Sequence, residues 1–369
     1  MRRHNAAIVL REVAAAEPVS RARLAERTGL TRGTVSSLVD RLLAAGLLTE
    51  LAPTPSGPGR PANPLQLNRS GPAGLGVEIG VDHLGACVVD LAGAVRARRT
   101  APSTHRAAAP AAGLATAAAL AAEVVAEAGL PVAGADVALP GVVGRDGVLQ
   151  RAPNLPRWQE VAVATELAPL LAPVIGEVPV RAGNEADLAA LAELWGGGPA
   201  DVVRVSGGIG VGAGILLGGT PFHGTGGRAG ELGHVVVDPD GPACSCGGRG
   251  CLERAAGLEA LLRAAGADDL DAIVAGRDEP RPAAAVAAAG RALGIALAGA
   301  VNLLDVPVVV LGGCYPRVGP RLLDAVRAEL ADRVVWRALP EVRFSVLGAD
   351  AALRGAATAV VQALLAEPA

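Results

Sequence analysis

Apolar positions in the first seventy residues recur at helical spacing in three short stretches. Ile8, Val9, Leu10 and Val13 predict a helix that ends near Ala16, before Pro18. Ser20 is placed to cap a second helix through Leu24 and Ala25, which Gly29 would end. Thr31 would cap a third, whose Val35, Leu38, Val39, Leu42 and Leu43 line one buried face. Two brief apolar runs follow, at 46–50 and 65–67, around the turn-rich segment 53–61. Helix, tight turn and helix followed by a two-stranded ribbon is the pattern of a winged helix-turn-helix.

From Leu75 the periodicity changes. The runs 76–82 and 86–93 predict two strands joined by a tight turn, and 111–128 a long alanine-rich helix. Strands are expected at 136–139, 202–205 and 308–311, with glycine-rich turns at 207–212 and 312–313. Asn184 would cap a helix through Leu188, Leu191 and Leu194, and another helix is expected over 317–330. Strands alternating with helices imply an α/β body behind the helical head.

Composition narrows this picture. At 369 residues the chain is long enough for two or three compact units. Half of it (51%) is hydrophobic but only 2% aromatic, so alanine, valine and leucine must fill the cores. There is no lysine, and all 33 basic residues are arginine. A net charge of −3 argues against a chain that coats nucleic acid throughout, while leaving room for one basic module. No uninterrupted apolar run reaches the ~18 residues needed to span a bilayer, and the charged start is unlike a secretory signal. Reduced, clustered thiols fit a reducing compartment, so a cytoplasmic protein without a membrane partner is expected.

The densest chemistry lies at 230–253. Cys244, Cys246 and Cys251 fall within eight residues, ten positions after His234. One imidazole and three thiolates form a closed tetrahedral set for a structural Zn²⁺. Three sulfurs leave one over in any disulfide scheme, and adjacent Cys244 and Cys246 pair poorly. The competing reading is a cluster of small buried hydrophobes with a core histidine. Glu231 and Glu253 flank the cluster, and its folding would bring the two carboxylates together.

The run Gly230-Glu231-Leu232-Gly233-His234, with Cys244-Ser245-Cys246-Gly247-Gly248-Arg249-Gly250-Cys251-Leu252-Glu253 after it, resembles the signature of the ROK family of bacterial repressors and sugar kinases. The likeness extends over nearly the whole chain. It includes the winged helix at the front of ROK repressors, with Gly59-Arg60-Pro61 in the wing. The resemblance implies a mostly α winged helix at 1–70, then an α/β body of two ribonuclease-H-like lobes. The first lobe would span 71–182 with a C-terminal helix at 355–369, and the second, carrying the zinc loop, 183–354. It also implies zinc at His234, Cys244, Cys246 and Cys251, and a sugar held by Asn154, Asn184, Glu185, Glu231, His234 and Glu253.

Two departures bear on activity. Family kinases carry a phosphate loop like Asp-x-Gly-Gly-Thr where this chain has Glu78-Ile79-Gly80-Val81-Asp82, which puts a side chain and a negative charge where polyphosphate would approach. Their catalytic Asn-Asp pair is matched by Asn184-Glu185, whose longer side chain displaces the carboxylate. No catalytic residue is therefore assigned. The expectation is a repressor whose ROK body binds a sugar or sugar phosphate without phosphorylating it. An ATP-dependent hexose kinase with a regulatory head is the alternative. For the head, Thr31, Arg32, Thr34, Ser36, Ser37 and Arg41 on the third helix and Arg60 in the wing are the candidate contacts to double-stranded operator DNA. A helical bundle for protein contact is the competing reading there. Palindromic operators would suit a homodimer or homotetramer.

Overall fold

The computed structural model describes residues 2–52, 63–103, 105, 108–336 and 338–368. The head contains α1 (Arg2–Ala16), α2 (Arg21–Thr28) and α3 (Arg32–Ala44), and an antiparallel pair of β1 (Leu48–Glu50) and β2 (Leu65–Leu67). The caps are those the sequence suggests. Ser20 accepts from the Arg23 amide at 3.3 Å, Thr31 accepts from the Thr34 amide at 3.2 Å, and Gly29 ends α2 in the left-handed region. The wing tip, including Arg60, lies outside the described residues.

Behind the head come β3 (Ala73–Ile79), β4 (His83–Val89) and β5 (Val95–Pro102), then α4 (Pro110–Ala128) and β6 (Val132–Leu139). A small antiparallel sheet of β7 (Val142–Val143), β8 (Leu149–Arg151) and β9 (Gln159–Val161) precedes α5 (Val163–Ile175) and β10 (Val180–Asn184). The strand order is β10-β6-β3-β4-β5, with β3, β4 and β5 antiparallel and β6 and β10 parallel to β3.

After α6 (Glu185–Trp195) the same plan returns. It uses β11 (Val202–Gly207), β12 (Val211–Leu217) and β13 (Thr220–Pro221). Then come α7 (Glu253–Ala256), α8 (Leu258–Ala265), α9 (Leu270–Ala275) and α10 (Pro280–Leu304). Next are β14 (Val308–Gly313), α11 (Tyr315–Val318), α12 (Pro320–Arg333) and β15 (Glu341–Phe344), and α13 (Ala351–Ala366) closes the chain. This sheet runs β13-β12-β11-β14-β15, with β14 and β15 parallel to β11. Three antiparallel strands followed by two parallel ones, present twice in the same order, is the ribonuclease-H plan duplicated. The expected two-lobed α/β body is therefore present.

Several expectations change in detail. The first turn of the body takes in Gly80, Val81 and Asp82, because β3 stops at Ile79 and β4 begins at His83. The helix expected over 317–330 is two, broken at Gly319, whose φ is 99°. The C-terminal helix begins at Ala351 instead of 355. Three helices do prove long and apolar enough, by length and composition alone, to cross a membrane: Pro110–Ala128, Pro280–Leu304 and the segment Gly348–Ala366. The reading of the sequence missed them because isolated polar residues interrupt their apolar runs. In the fold each packs an apolar face within a lobe, with Leu114, Val124, Leu293, Leu297, Leu353 and Val361 buried.

Candidate functional site

A cavity between the two lobes gathers all six residues expected to hold a sugar. Asn154, Asn184, Glu185, Glu231, His234 and Glu253 line it together with the backbone of 210–213. Asn184 ends β10 and caps α6, its side-chain oxygen accepting from the Ala186 and Asp187 amides at 2.7 and 3.2 Å. Its amide nitrogen donates to the Gly141 carbonyl at 2.7 Å, so much of Asn184 is spent on fixing the cavity wall. Glu185 follows as the first residue of α6, where a carboxylate is favoured by the helix dipole. Burial nonetheless pushes its carboxyl up to about 7, and the nearby charge of Glu78 adds to the shift.

The opposite wall comes from the second lobe. Glu253 opens α7 and accepts from the Val211 amide at 3.2 Å, so the β12 strand orients it. Tyr315, which the sequence reading did not single out, is buried and donates to the Ala256 carbonyl at 3.1 Å, anchoring the other end of that helix. Glu231 is pushed above the usual carboxylate range by burial, and its Oε2 lies 3.9 Å from His234 Nε2. Among the described residues, three glutamates and no arginine line the cavity.

The other ring nitrogen of His234 points away from the cavity. Nδ1 lies 3.8 Å from Cys244 Sγ, and Cys246 Sγ lies 3.7 Å from Cys251 Sγ. The four donor atoms lie within 4.8 Å of one another, as a set that could hold a metal ion. A tetrahedron with ~2.3 Å zinc–sulfur bonds has sulfur–sulfur edges of about 3.8 Å, close to the Cys246–Cys251 spacing. Two short antiparallel bridges, Val236 to Cys251 and Ala243 to Arg249, fold the loop onto itself. The turn depends on Gly250, which has a φ of 71° and whose added Cβ would lie 1.6 Å from the Asp238 carbonyl oxygen.

A second cavity of about 370 Å³ adjoins the first, and Val81, Glu185 and Gly210 line both. The duplicated fold places the equivalent turn of each lobe on it, Gly80–Asp82 from the first and Gly208–Gly210 from the second. In the second turn Gly208 is clear, an added Cβ there meeting nothing nearer than the Gly210 carbonyl oxygen at 3.9 Å. The first is occupied by His83, a residue the sequence reading passed over. Its ring stacks against Gly80, with Nδ1 3.0 Å from Asp82 and Nε2 3.4 Å from Glu78. Hydrogen bonding to Glu78 holds the imidazole protonated, with its pKa raised to about 9. The other cations on this cavity are also paired, Arg204 with buried Glu193 at 3.4 Å and Arg317 with Asp271.

On the head, Thr31, Arg32, Ser37 and Arg41 are exposed along α3, while Thr34 and Ser36 are half-buried. Thr31 and Thr34 share a hydroxyl contact at 2.9 Å that belongs to the cap. Arg21 is tied to Asp40 and Glu50 at 2.7 and 2.9 Å, and Arg27 to Glu12 at 2.5 Å. Among the described residues Arg32 and Arg41 are in no ion pair, which leaves both free to meet phosphate.

Comparison with known proteins follows the same division. Residues 74–363 match the ROK family model, and residues 3–56 match that of the MarR family. The kanosamine kinase of Amycolatopsis mediterranei (strain S699) is 34% identical over 242 residues, covering 62% of this chain and 77% of the kinase. The xylose repressor of Bacillus subtilis (strain 168) is 27% identical over 356 residues, covering 89% of this chain and 87% of the repressor. A crystal structure described as a ROK family transcriptional regulator, homolog of the E. coli MLC protein, superposes with a TM-score of 0.80 at 24% identity. That match covers 99% of this chain and 97% of the other, and it shows the fold.

Proposed function

Because the chain belongs to the ROK family through its body and carries a MarR-type winged helix at its front, we propose that it is a sugar-responsive transcriptional repressor. Its head binds an operator, and its interlobe cavity takes the effector without phosphorylating it. The likeness to the xylose repressor over 89% of this chain supports the arrangement, where the kinase relative covers 62% of it. One observation carries the sugar half of the reading: six side chains from both lobes converge on one cavity. Carboxylates and amides there can accept and donate to adjacent hydroxyls in pairs. With three glutamates and, among the described residues, no arginine on its wall, the cavity favours a neutral sugar over its phosphate.

Zinc would be held by His234, Cys244, Cys246 and Cys251. With four protein ligands it leaves no place for a catalytic water and supplies structure only. It would also fix the ring of His234, and so the face that His234 turns toward the sugar. We divide the chain into a DNA-binding head at 1–70, a first lobe at 71–182 with the C-terminal helix, and a second lobe at 183–354. A cytoplasmic homodimer on a palindromic site fits this reading.

Loss of phosphoryl transfer is supported by the second cavity, where His83 fills the first turn and the lining cations are paired internally. One observation favours a retained hexose kinase: a carboxyl near neutrality, as at Glu185, suits a general base. ADP release across common hexoses separates the two. The primary test is titration of the full chain on DNA upstream of its own gene at two salt concentrations, with a panel of sugars and their phosphates. Salt-sensitive binding that one free sugar shifts is the expected result. No preference over random DNA, or a response to the phosphate alone, overturns the corresponding half of the reading.

A further inference from the structure

The effector cavity and the DNA-binding head are joined by two helices in direct backbone contact. Asn184 and Glu185, on the cavity wall, are the cap and first residue of α6. That helix lies between the lobes. On one side an added Cβ at Gly214 of β12 would lie 2.2 Å from the Ala186 carbonyl oxygen. On the other, an added Cβ at Gly355 of α13 would lie 2.0 Å from the Leu188 carbonyl oxygen. Leu188, Ala189, Ala351, Ala352 and Ala356 form one buried cluster across the second contact. Any closure of the lobes on a sugar must therefore slide α6 against β12, against α13, or against both. Interfaces of small side chains at backbone contact permit such shear.

Away from α6, α13 lies on the first sheet and reaches the head. Leu353, Ala357, Val361 and Leu365 recur every fourth residue and share one hydrophobic cluster with Val9, Leu10 and Val13 of α1, Leu65 and Leu67 of β2, and Cys87 and Val89 of β4. Along this face head and body share one buried apolar cluster. The N-terminal turn of α13, Ala351 and Ala352, also lines the second cavity. One helix thus touches the effector-bearing helix, the first sheet and the winged helix at once.

We propose that α13 is the element that reports the state of the cleft to the winged helix, and that the Gly355–Leu188 contact is where α6 acts on it. This rests on the sugar-responsive reading. It adds a route within one chain, so the response does not require rearrangement of a subunit interface.

The test is the coupling ratio of the full-length protein, its operator Kd with saturating sugar divided by that without. Coupling in such systems is commonly about 5- to 150-fold. Gly355→Ala must push α6 and α13 apart at a backbone contact. Leu365→Ala cuts the other end, where a 5% exposed side chain meets the head. Each variant is expected to bind sugar and operator separately within about threefold of wild type while its ratio falls to less than about twofold. Folded variants that bind both ligands and keep the wild-type ratio overturn the route. Should Gly355→Ala fail to fold, Leu365→Ala decides alone, with Leu365→Met expected to restore the ratio. A wild-type ratio of one with every sugar sinks the sugar-responsive reading instead, and is told apart because it needs no variant.

Discussion

Gly250→Ala leaves all four proposed zinc ligands in place and should nonetheless abolish metal binding. Two costs add at this position. The left-handed φ of 71° penalises any Cβ by about 1–2 kcal/mol. The new methyl would also sit 1.6 Å from the Asp238 carbonyl oxygen, where a real contact needs about 3.0 Å. Clearing it moves one strand of the loop by more than 1 Å, and Cys251 is the next residue. Metal sites tolerate errors of about 0.2 Å in ligand distance. The displacement therefore exceeds the tolerance several-fold, and the tetrahedron set by the 3.7 Å Cys246–Cys251 spacing cannot be kept. Gly247→Ala is the internal control. Its φ is 97°, but nothing lies within 4 Å of the added Cβ, so it incurs the conformational cost alone. Zinc per chain, measured by mass spectrometry after dialysis against a weak chelator, should fall from about one to near zero for Gly250→Ala. It should stay near one for Gly247→Ala, with modestly weaker retention. Sugar affinity should weaken about 10-fold or more in the first variant, because His234 loses its support on the cavity wall. Full zinc retention by Gly250→Ala would refute the steric argument, and absence of zinc from the wild-type protein would refute the site.

His83 predicts a pH dependence with a definite sign. Its pKa is raised from 6.5 to about 9 by Glu78 first, and by Asp82. The pairing therefore stabilises the fold fully below pH 6.5 and is lost as pH rises through about 9. His83→Gln should lower the melting temperature at neutral pH and flatten the decline between pH 6.5 and 9, and an unchanged slope would sink the assignment. On the head, Arg32→Ala and Arg41→Ala should each weaken operator binding and lower the salt slope by about 0.9, since each removes one phosphate contact. Arg21→Ala, where the charge is already spent on Asp40 and Glu50, should leave that slope unchanged. Equal slopes for all three would show that α3 does not carry the phosphate contacts.

What could be read from the chain, and what could not, follows the reach of the interactions involved. Caps at Ser20, Thr31 and Asn184 are contacts between residues two or three apart, so composition and spacing announce them. The His/Cys donor cluster is nearly as local, four donors within eighteen positions. His83 was overlooked for the opposite reason. Its partner Glu78 is only five residues away, yet they face each other only because β3 and β4 form a hairpin whose turn starts at Gly80. A strand read through to Asp82 hides that pairing. Tyr315 was missed because its partner, Ala256, is 59 positions distant. A lone tyrosine carries no local sign of what it will hold.

The duplication of the lobes sharpens the last point. Each lobe brings the turn between its first two strands to the same cavity, and the fold alone would make them equivalent. They differ because of side chains: Gly208 leaves its part of the 208–210 turn clear, while His83 fills the other turn and pairs with Glu78 and Asp82 from within. The cations His83, Arg204 and Arg317 are already paired, so an anionic ligand there would have to displace an existing pair. The adjoining cavity is different. Among the described residues Glu231 and Glu253 face it without an arginine partner, and their remaining lone pairs are the acceptors on which the proposed sugar binding rests. The two adjoining cavities thus differ in what their linings offer, and the proposal of sugar binding without phosphoryl transfer rests on that difference.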